Sequence, residues 1–172
     1  MSHTLVASQS TAVPAMPARD AVSTELRFAA RPEAVWRTLM FYEQIDQRPP
    51  WYLRLLLPVP IRTEGSKAAV GDEALCLYVG GHLVKRVTRV EQSALYAFAV
   101  IEQKLDVGGI VLSDGEYSLR ARFDGGTDVT VTTRYASTRR PRWLWRPIEG
   151  LVCHAFHHHI LRAMRRAIAG EA

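Results

Sequence analysis

Three kinds of side chain in this sequence have the chemistry to hold or act on a small molecule: a histidine cluster, a scatter of aromatic rings and a few carboxylates among apolar neighbours. The histidines concentrate in Cys153-His154-Ala155-Phe156-His157-His158-His159. An imidazole titrates near neutrality, so one that is partly desolvated can carry a proton to or from a ligand. At roughly 100° per residue along a helix, His159 falls near the middle of an apolar side made by Leu144, Ile148, Leu151, Val152, Ala155, Phe156, Ala163 and Ala167. Arg146, His154, His157, His158 and Arg165 fall on the other side. His159 is therefore the candidate catalytic proton carrier, and a core histidine with one backbone hydrogen bond is the plain alternative. His154 with His158, and Cys153 with His157, each offer two ligands at four-residue spacing. The two pairs point in different directions and lack a third ligand, so no metal is expected and a solvated polar face is the simpler reading.

Rings that bind an apolar molecule and hydroxyls that orient it point to Trp51, Tyr78, Tyr96, Tyr117 and Tyr135, with Val152 and Phe156 contributed by the helix. Strand alternation puts Val129, Val131, Thr133 and Tyr135 on one face, and Tyr117, Leu119, Ala121 and Phe123 on one face of the preceding strand, leaving Arg120, Arg122 and Arg134 outward. Along Leu95–Gln103 both faces are largely apolar, so alternation leaves open whether Tyr96 and Glu102 or Leu95 and Gln103 face inward. Glu102 inside would be a general base with a raised pKa, and outside it would be merely solvated. Turn chemistry accounts for Asp106 and Asp114, and no Ser-His-Asp or Cys-His arrangement is supported by spacing.

The elements that must position these groups are readable from periodicity. Met1–Asp20, rich in Ser, Thr, Ala and Pro without an apolar period, is expected to be a loose tail. Val22–Phe28 alternates as a half-buried strand. Arg31–Tyr42 reads as an amphipathic helix with Pro32 at its first position, and Trp51–Leu57 as a second short helix between prolines. Strands follow near Ile61–Glu64, Glu73–Val79, Leu83–Val90, Leu95–Gln103, Val111–Phe123 and Val129–Ser137. They are joined by separators such as Gly80-Gly81 and Asp124-Gly125-Gly126, short enough only for antiparallel neighbours. Arg142–Ala169 is one long helix with Pro147 near its start. A second apolar strip on it, Leu161, Met164 and Ile168, is a candidate subunit contact, so the chain is expected to be a monomer or a homodimer.

Composition narrows the classes. The chain has 172 residues, 48% of them hydrophobic, enough for one globular core. Its apolar runs fall far short of the roughly 18 residues that a membrane helix needs. Cys76 and Cys153 form no disulfide framework, and no basic start leads into an apolar leader, so a reducing, cytoplasmic location is expected. The net charge of +5 resides wholly between Thr138 and Ala172, where seven arginines face two glutamates. Such an end can meet phosphates or an anionic membrane peripherally, although a solvated helix face is commoner. Nothing in the sequence has zinc-finger spacing, a glycine-rich phosphate loop or an aromatic RNA-binding signature, so neither nucleic acid nor a cofactor is expected.

Several local patterns together resemble one family. They are Leu26-Arg27-Phe28 running into Arg31-Pro32-Glu33-Ala34-Val35-Trp36, Val70-Gly71-Asp72-Glu73 opening a strand, the run from His82 to Glu91, and the hairpin from Phe123 to Val131. With the element order, they make residues 21–172 resemble the helix-grip fold of the START-like, or SRPBCC, superfamily, and more specifically its polyketide cyclase/dehydrase branch. The resemblance implies an α+β architecture: a curved antiparallel sheet of about seven strands around the long C-terminal helix, with two short helices after the first strand. It also implies a cavity between sheet and helix for a small hydrophobic or aromatic molecule. Its members serve as cofactor-independent enzymes, such as cyclases or dehydratases, or as noncatalytic carriers and sensors of lipid-like ligands. The resemblance alone does not choose among these.

Overall fold

Alternating apolar and polar residues build one curved antiparallel sheet in the computed structural model, which describes residues 20–41, 51, 54 and 57–170. The strands are β1 (Asp20–Phe28), β2 (Pro60–Gly65), β3 (Glu73–Tyr78), β4 (Gly81–Glu91), β5 (Leu95–Lys104), β6 (Ile110–Ala121) and β7 (Thr127–Ser137). Helix α1 (Pro32–Phe41) follows β1, and α2 (Arg142–Gly170) follows β7. The sheet order is β1-β7-β6-β5-β4-β3-β2, so each neighbour is reached by a tight connection except β1, which returns to pair with β7. Of the expected second short helix, Trp51 and Arg54 are helical; residues 52, 53, 55 and 56 lie outside the described residues, as does the expected tail up to residue 19.

Register fixes which side chains share the concave face. Thr24 stands opposite Val131 and Val22 opposite Thr133, while Tyr117 stands opposite both Val131 and Tyr96. The inward direction of Tyr117 and Tyr135 follows the alternation. Phe123 does not: β6 ends at Ala121, and the ring is fully exposed on the turn. There Gly125 adopts φ +80°, and the Gly126 amide donates to the Asp124 carboxylate at 3.1 Å.

Bulges answer the question left open on β5. Lys85 pairs with Val100 but Val84 pairs with Glu102, so Ile101 is an extra residue that resets the alternation. Tyr96, Phe98 and Val100 therefore share the inner face, and past the bulge so does Gln103, opposite Leu83. Glu102 is turned to the outer face, where Lys104 at 2.8 Å and His82 at 3.2 Å hold its carboxyl below the usual range.

The concave face carries two apolar clusters. The larger joins Phe28, Val87, Tyr96, Leu119, Val129 and Val131 of the sheet to Val35, Trp36 and Leu39 of α1 and to Ile160, Leu161 and Met164 of α2. Trp36 meets Tyr96 edge to face at 6.5 Å. The smaller contains Cys76, Leu83 and Leu105, flanked by Tyr78, Val100, Val107 and Leu112, and no residue of α1 or α2.

Helix α2 corrects the reading of its faces. Leu161 and Met164, expected on an outer strip available to a second subunit, are completely buried against the sheet and α1. Leu144, Ile148 and Leu151, expected to face the core, are exposed. His157, expected among the solvated residues, is buried. The cause lies in composition: apolar residues occur on both sides of this helix, so its periodicity defines no single inner stripe. Packing against β1, β7 and α1 selects Glu149, His157, Ile160, Leu161, Ala163 and Met164.

Candidate functional site

A polar seam joins α2 to β1 and β7. Strand alternation places Thr24 and Thr133 on the inner face, and the middle of α2 brings His154 and His157 over them. Thr24 Oγ1 lies 2.7 Å from His154 Nδ1 and 2.9 Å from His157 Nδ1. His157 Nε2 lies 2.8 Å from Thr133 Oγ1 and 3.5 Å from Cys153 Sγ. Thr24 has one hydroxyl proton for two ring nitrogens, so one of those rings presents an N–H to it. A neutral His157 that donates from one nitrogen and accepts at the other satisfies the whole chain. Burial, reinforced by His154 and His158, pulls the His157 pKa down to about 4, and burial pushes the Cys153 thiol up to about 11. At neutral pH the pair is an uncharged imidazole beside an uncharged thiol, with no activated nucleophile. Among the described residues, no group of three or more His, Cys, Asp or Glu side chains is placed to hold a metal ion.

Toward the start of α2 the seam becomes ionic. Glu149, buried, accepts from Ser137 Oγ at 2.6 Å and from Arg142 Nη1 at 2.9 and 3.1 Å. Arg142 also reaches Asp20 Oδ2 at 2.5 Å, and Arg146 Nε lies 3.1 Å from Asp20 Oδ1. Burial, followed by the Glu149 and Asp20 charges, raises the neighbouring Tyr135 phenol to about 12. An open cleft of about 330 Å³ lies here, lined by Asp20, Ala21, Val22, Tyr135, Arg146, Pro147 and Gly150. Its floor, Tyr135, is only 3% exposed, so the ring has little surface left to offer a ligand.

The remaining candidates lie on the concave face over β3–β6. Tyr96, Phe98 and Tyr117 form an aromatic group with centroids 6.2 and 6.4 Å from Tyr96. The Lys85 ammonium stands 4.9 Å from the centre of the Phe98 ring. With Leu39, Lys67 and Ala74 these residues line a cleft of about 30 Å³. Tyr78 flanks the smaller apolar cluster. Val152, Phe156 and His159 are half-buried on α2, and Trp51 is exposed. The structure thus gathers Tyr78, Tyr96 and Tyr117 on one inner surface, sets Tyr135 apart on the ionic seam, and leaves Trp51 outside both groups.

Sequence reasoning missed Thr24, Thr133, Asp20 and Glu149. Thr24 and Thr133 fall on inward positions of their strands, and two threonines on otherwise apolar faces were a signal that a polar partner sits opposite. Glu149, the sole acid in the first two-thirds of α2, repeats at a seven-residue interval from Arg142, a spacing that returns to nearly the same helix face.

Comparison with solved structures places this architecture. A START superfamily protein from Mycobacterium smegmatis superposes with a TM-score of 0.64 at 10% identity, over 88% of this chain and 99% of that one. A Thalictrum norcoclaurine synthase point mutant, solved with a transition-state analogue, gives 0.61 at 16% identity, over 88% and 95%. Ara h 8.0201 gives 0.59 at 11%, over 88% and 98%. No protein-family model and no curated protein matches the sequence. The chain therefore has the helix-grip fold of the START-like, or SRPBCC, superfamily. At these identities the likeness defines the fold, and chemistry must come from the side chains.

Proposed function

We propose that this protein binds a small hydrophobic or aromatic molecule between the inner face of β3–β6 and the first half of α2. One observation carries the reading: an apolar surface on this inner face stands apart from the packed core that α1 and α2 join. It is the Cys76–Leu83–Leu105 cluster with Tyr78 and Leu112, which among the described residues includes no side chain of α1 or α2. The sheet end that carries Tyr78 is also the end at which α2 begins, because the Thr138 amide and the Arg139 guanidinium donate to Gly109 and Gly108 of the β5–β6 loop. The cleft beside the aromatic group, about 30 Å³, holds no more than a water, so we place the ligand next to it, over the Tyr78 cluster. Burying exposed aliphatic and aromatic surface at about 25 cal/mol per Å² supplies the affinity.

The polar handles of this site are Tyr78, Tyr117 and His159. Val152, half-buried, lies seven residues before His159 and within about 20° of it around the helix axis, so His159 shares its side. His157 is unsuited to proton transfer because Thr24 and Thr133 occupy both its nitrogens. We assign cofactor-independent acid/base chemistry of the cyclase or dehydratase kind to His159, on its place beside Val152. A synthase solved with a transition-state analogue stands among the structural neighbours, which supports an enzyme on this fold, and the polyketide cyclase/dehydrase likeness of the sequence agrees with it. A noncatalytic carrier would use the same hollow without that histidine.

Gly115 provides the test. A Cβ there would lie 2.5 Å from Phe98 Cζ, so Gly115→Ala drives the ring into the aromatic cleft. Titration with the neutral fluorescent probe N-phenyl-1-naphthylamine is expected to give saturable binding to the wild type. In Gly115→Ala affinity is expected to fall by roughly tenfold, the scale of an overpacking penalty of about 1–3 kcal/mol, with cooperative unfolding retained. Non-saturable binding, or equal affinity in both proteins, would refute the site.

A further inference from the structure

The end of the sheet at which α2 begins has a surface that the ligand reading does not use. Trp143 is 78% exposed and Leu151 71%, and Leu144 and Ile148 are exposed beside them. Leu144, Ile148 and Leu151 recur at the spacing that keeps side chains on one side of a helix. Ile61 and Val79 are exposed at the same end of the sheet, across the β3–β4 turn. Arg140 and Arg146 are exposed here, and Arg139 lies with its guanidinium 4.5 Å from the centre of the Trp145 ring. The nearby acids are drawn inward: Glu149 is buried against Arg142 and Ser137, and Asp20 is held between Arg142 and Arg146. Asp106, tied to the Gly108 amide, is the exposed carboxylate of the β5–β6 loop.

We infer that this end docks on an anionic phospholipid membrane, with Trp143, Leu144 and Leu151 entering the headgroup layer and Arg139 and Arg140 meeting lipid phosphates. An indole with its polar edge wet is at home at that boundary. Stable peripheral binding needs an apolar anchor together with a basic one, and here Arg139 and Arg140 directly precede the first three turns of α2, which carry Trp143, Leu144 and Leu151. The charge is complementary to an acidic leaflet, since the cations point outward and two of the three local acids are turned in. The apolar side chains are spread around one end of the molecule instead of lining a groove, which suits a fluid surface better than a folded partner. No helix of the described residues is long and apolar enough to cross a bilayer, so the contact is peripheral. The inference does not depend on the ligand reading.

Co-sedimentation of the full chain with phosphatidylcholine vesicles, with and without phosphatidylserine, at low and at high sodium chloride tests it. The wild type is expected to pellet with the serine-lipid vesicles at low salt and to lose roughly tenfold in affinity at high salt. Trp143→Ser combined with Leu151→Ser is expected to weaken binding by at least about tenfold, with an unchanged thermal midpoint because both side chains are exposed. Arg140→Glu is expected to weaken only the binding to serine lipid, also by roughly tenfold. Wild-type failure to pellet, salt-independent pelleting with both vesicle types, or undiminished binding by the double variant would overturn the inference. So would lipid-free self-association that Leu151→Ser abolishes, which would assign the face to a second copy.

Discussion

Replacing Glu149 by alanine is expected to cost about 3–5 kcal/mol of folding stability, the scale for breaking a buried charge pair by removing one partner. The carboxylate is only 1% exposed at its side chain, while Arg142 keeps 24%; this exposed edge favours the lower part of that range. Removal leaves the Ser137 hydroxyl without its acceptor and Arg142 with Asp20 alone. Because Asp20 opens β1, Ser137 closes β7 and Arg142 opens α2, one substitution loosens the junction of all three elements. Glu149→Gln keeps an acceptor for Ser137 and is expected to lose less. Urea unfolding with a common slope for the three proteins measures the difference. A loss below about 1 kcal/mol for the alanine variant would mean that the junction is held by its apolar neighbours.

The second large effect is a pH dependence centred on His157. In the unfolded chain this imidazole has an ordinary pKa of about 6.5, whereas burial in the fold lowers it to about 4. Above pH 6.5 both states carry a neutral ring and the group is indifferent to pH. Between pH 6.5 and 4 the unfolded state takes up the proton and the folded state does not, so stability falls with pH across that window. The full loss is about 3 kcal/mol by pH 4. His157→Gln keeps an amide between Thr24 and Thr133 but cannot titrate. It is expected to be less stable than the wild type at pH 7 and to lose less stability on acidification, so the two curves converge as pH falls. Carboxylates titrate in both proteins and cancel in the difference. Parallel curves for the two proteins would show that the ring takes up its proton with the same pKa in the folded and unfolded states.

The same residues show what the sequence could and could not reveal. The β1 and β7 alternations are unambiguous because their polar positions are Ser23, Glu25, Arg27, Thr130, Thr132 and Arg134, and the concave face follows from them directly. On β5 both faces are apolar and the inserted Ile101 changes parity midway, so no two-residue rule could place both Tyr96 and Gln103 inside. For α2, Leu144, Ile148 and Leu151 make as good a stripe as Leu161 and Met164. Only tertiary packing decides that the second is core and that His157, not the outer surface, owns the Thr24 and Thr133 hydroxyls. The ion pairs of Arg142 with Asp20 and Glu149 were similarly hidden, because Asp20 stands at the end of a segment with tail-like composition and meets Arg142 across 122 residues.

Native mass spectrometry of gently purified protein probes the proposed ligand space between the inner face of β3–β6 and the first half of α2. A discrete one-to-one adduct with an apolar small molecule is expected, released on denaturation and depleted in Gly115→Ala. A wild-type spectrum that shows only the bare chain, and remains so after incubation with a saturating mixture of aromatic and acyl compounds, would contradict the proposal.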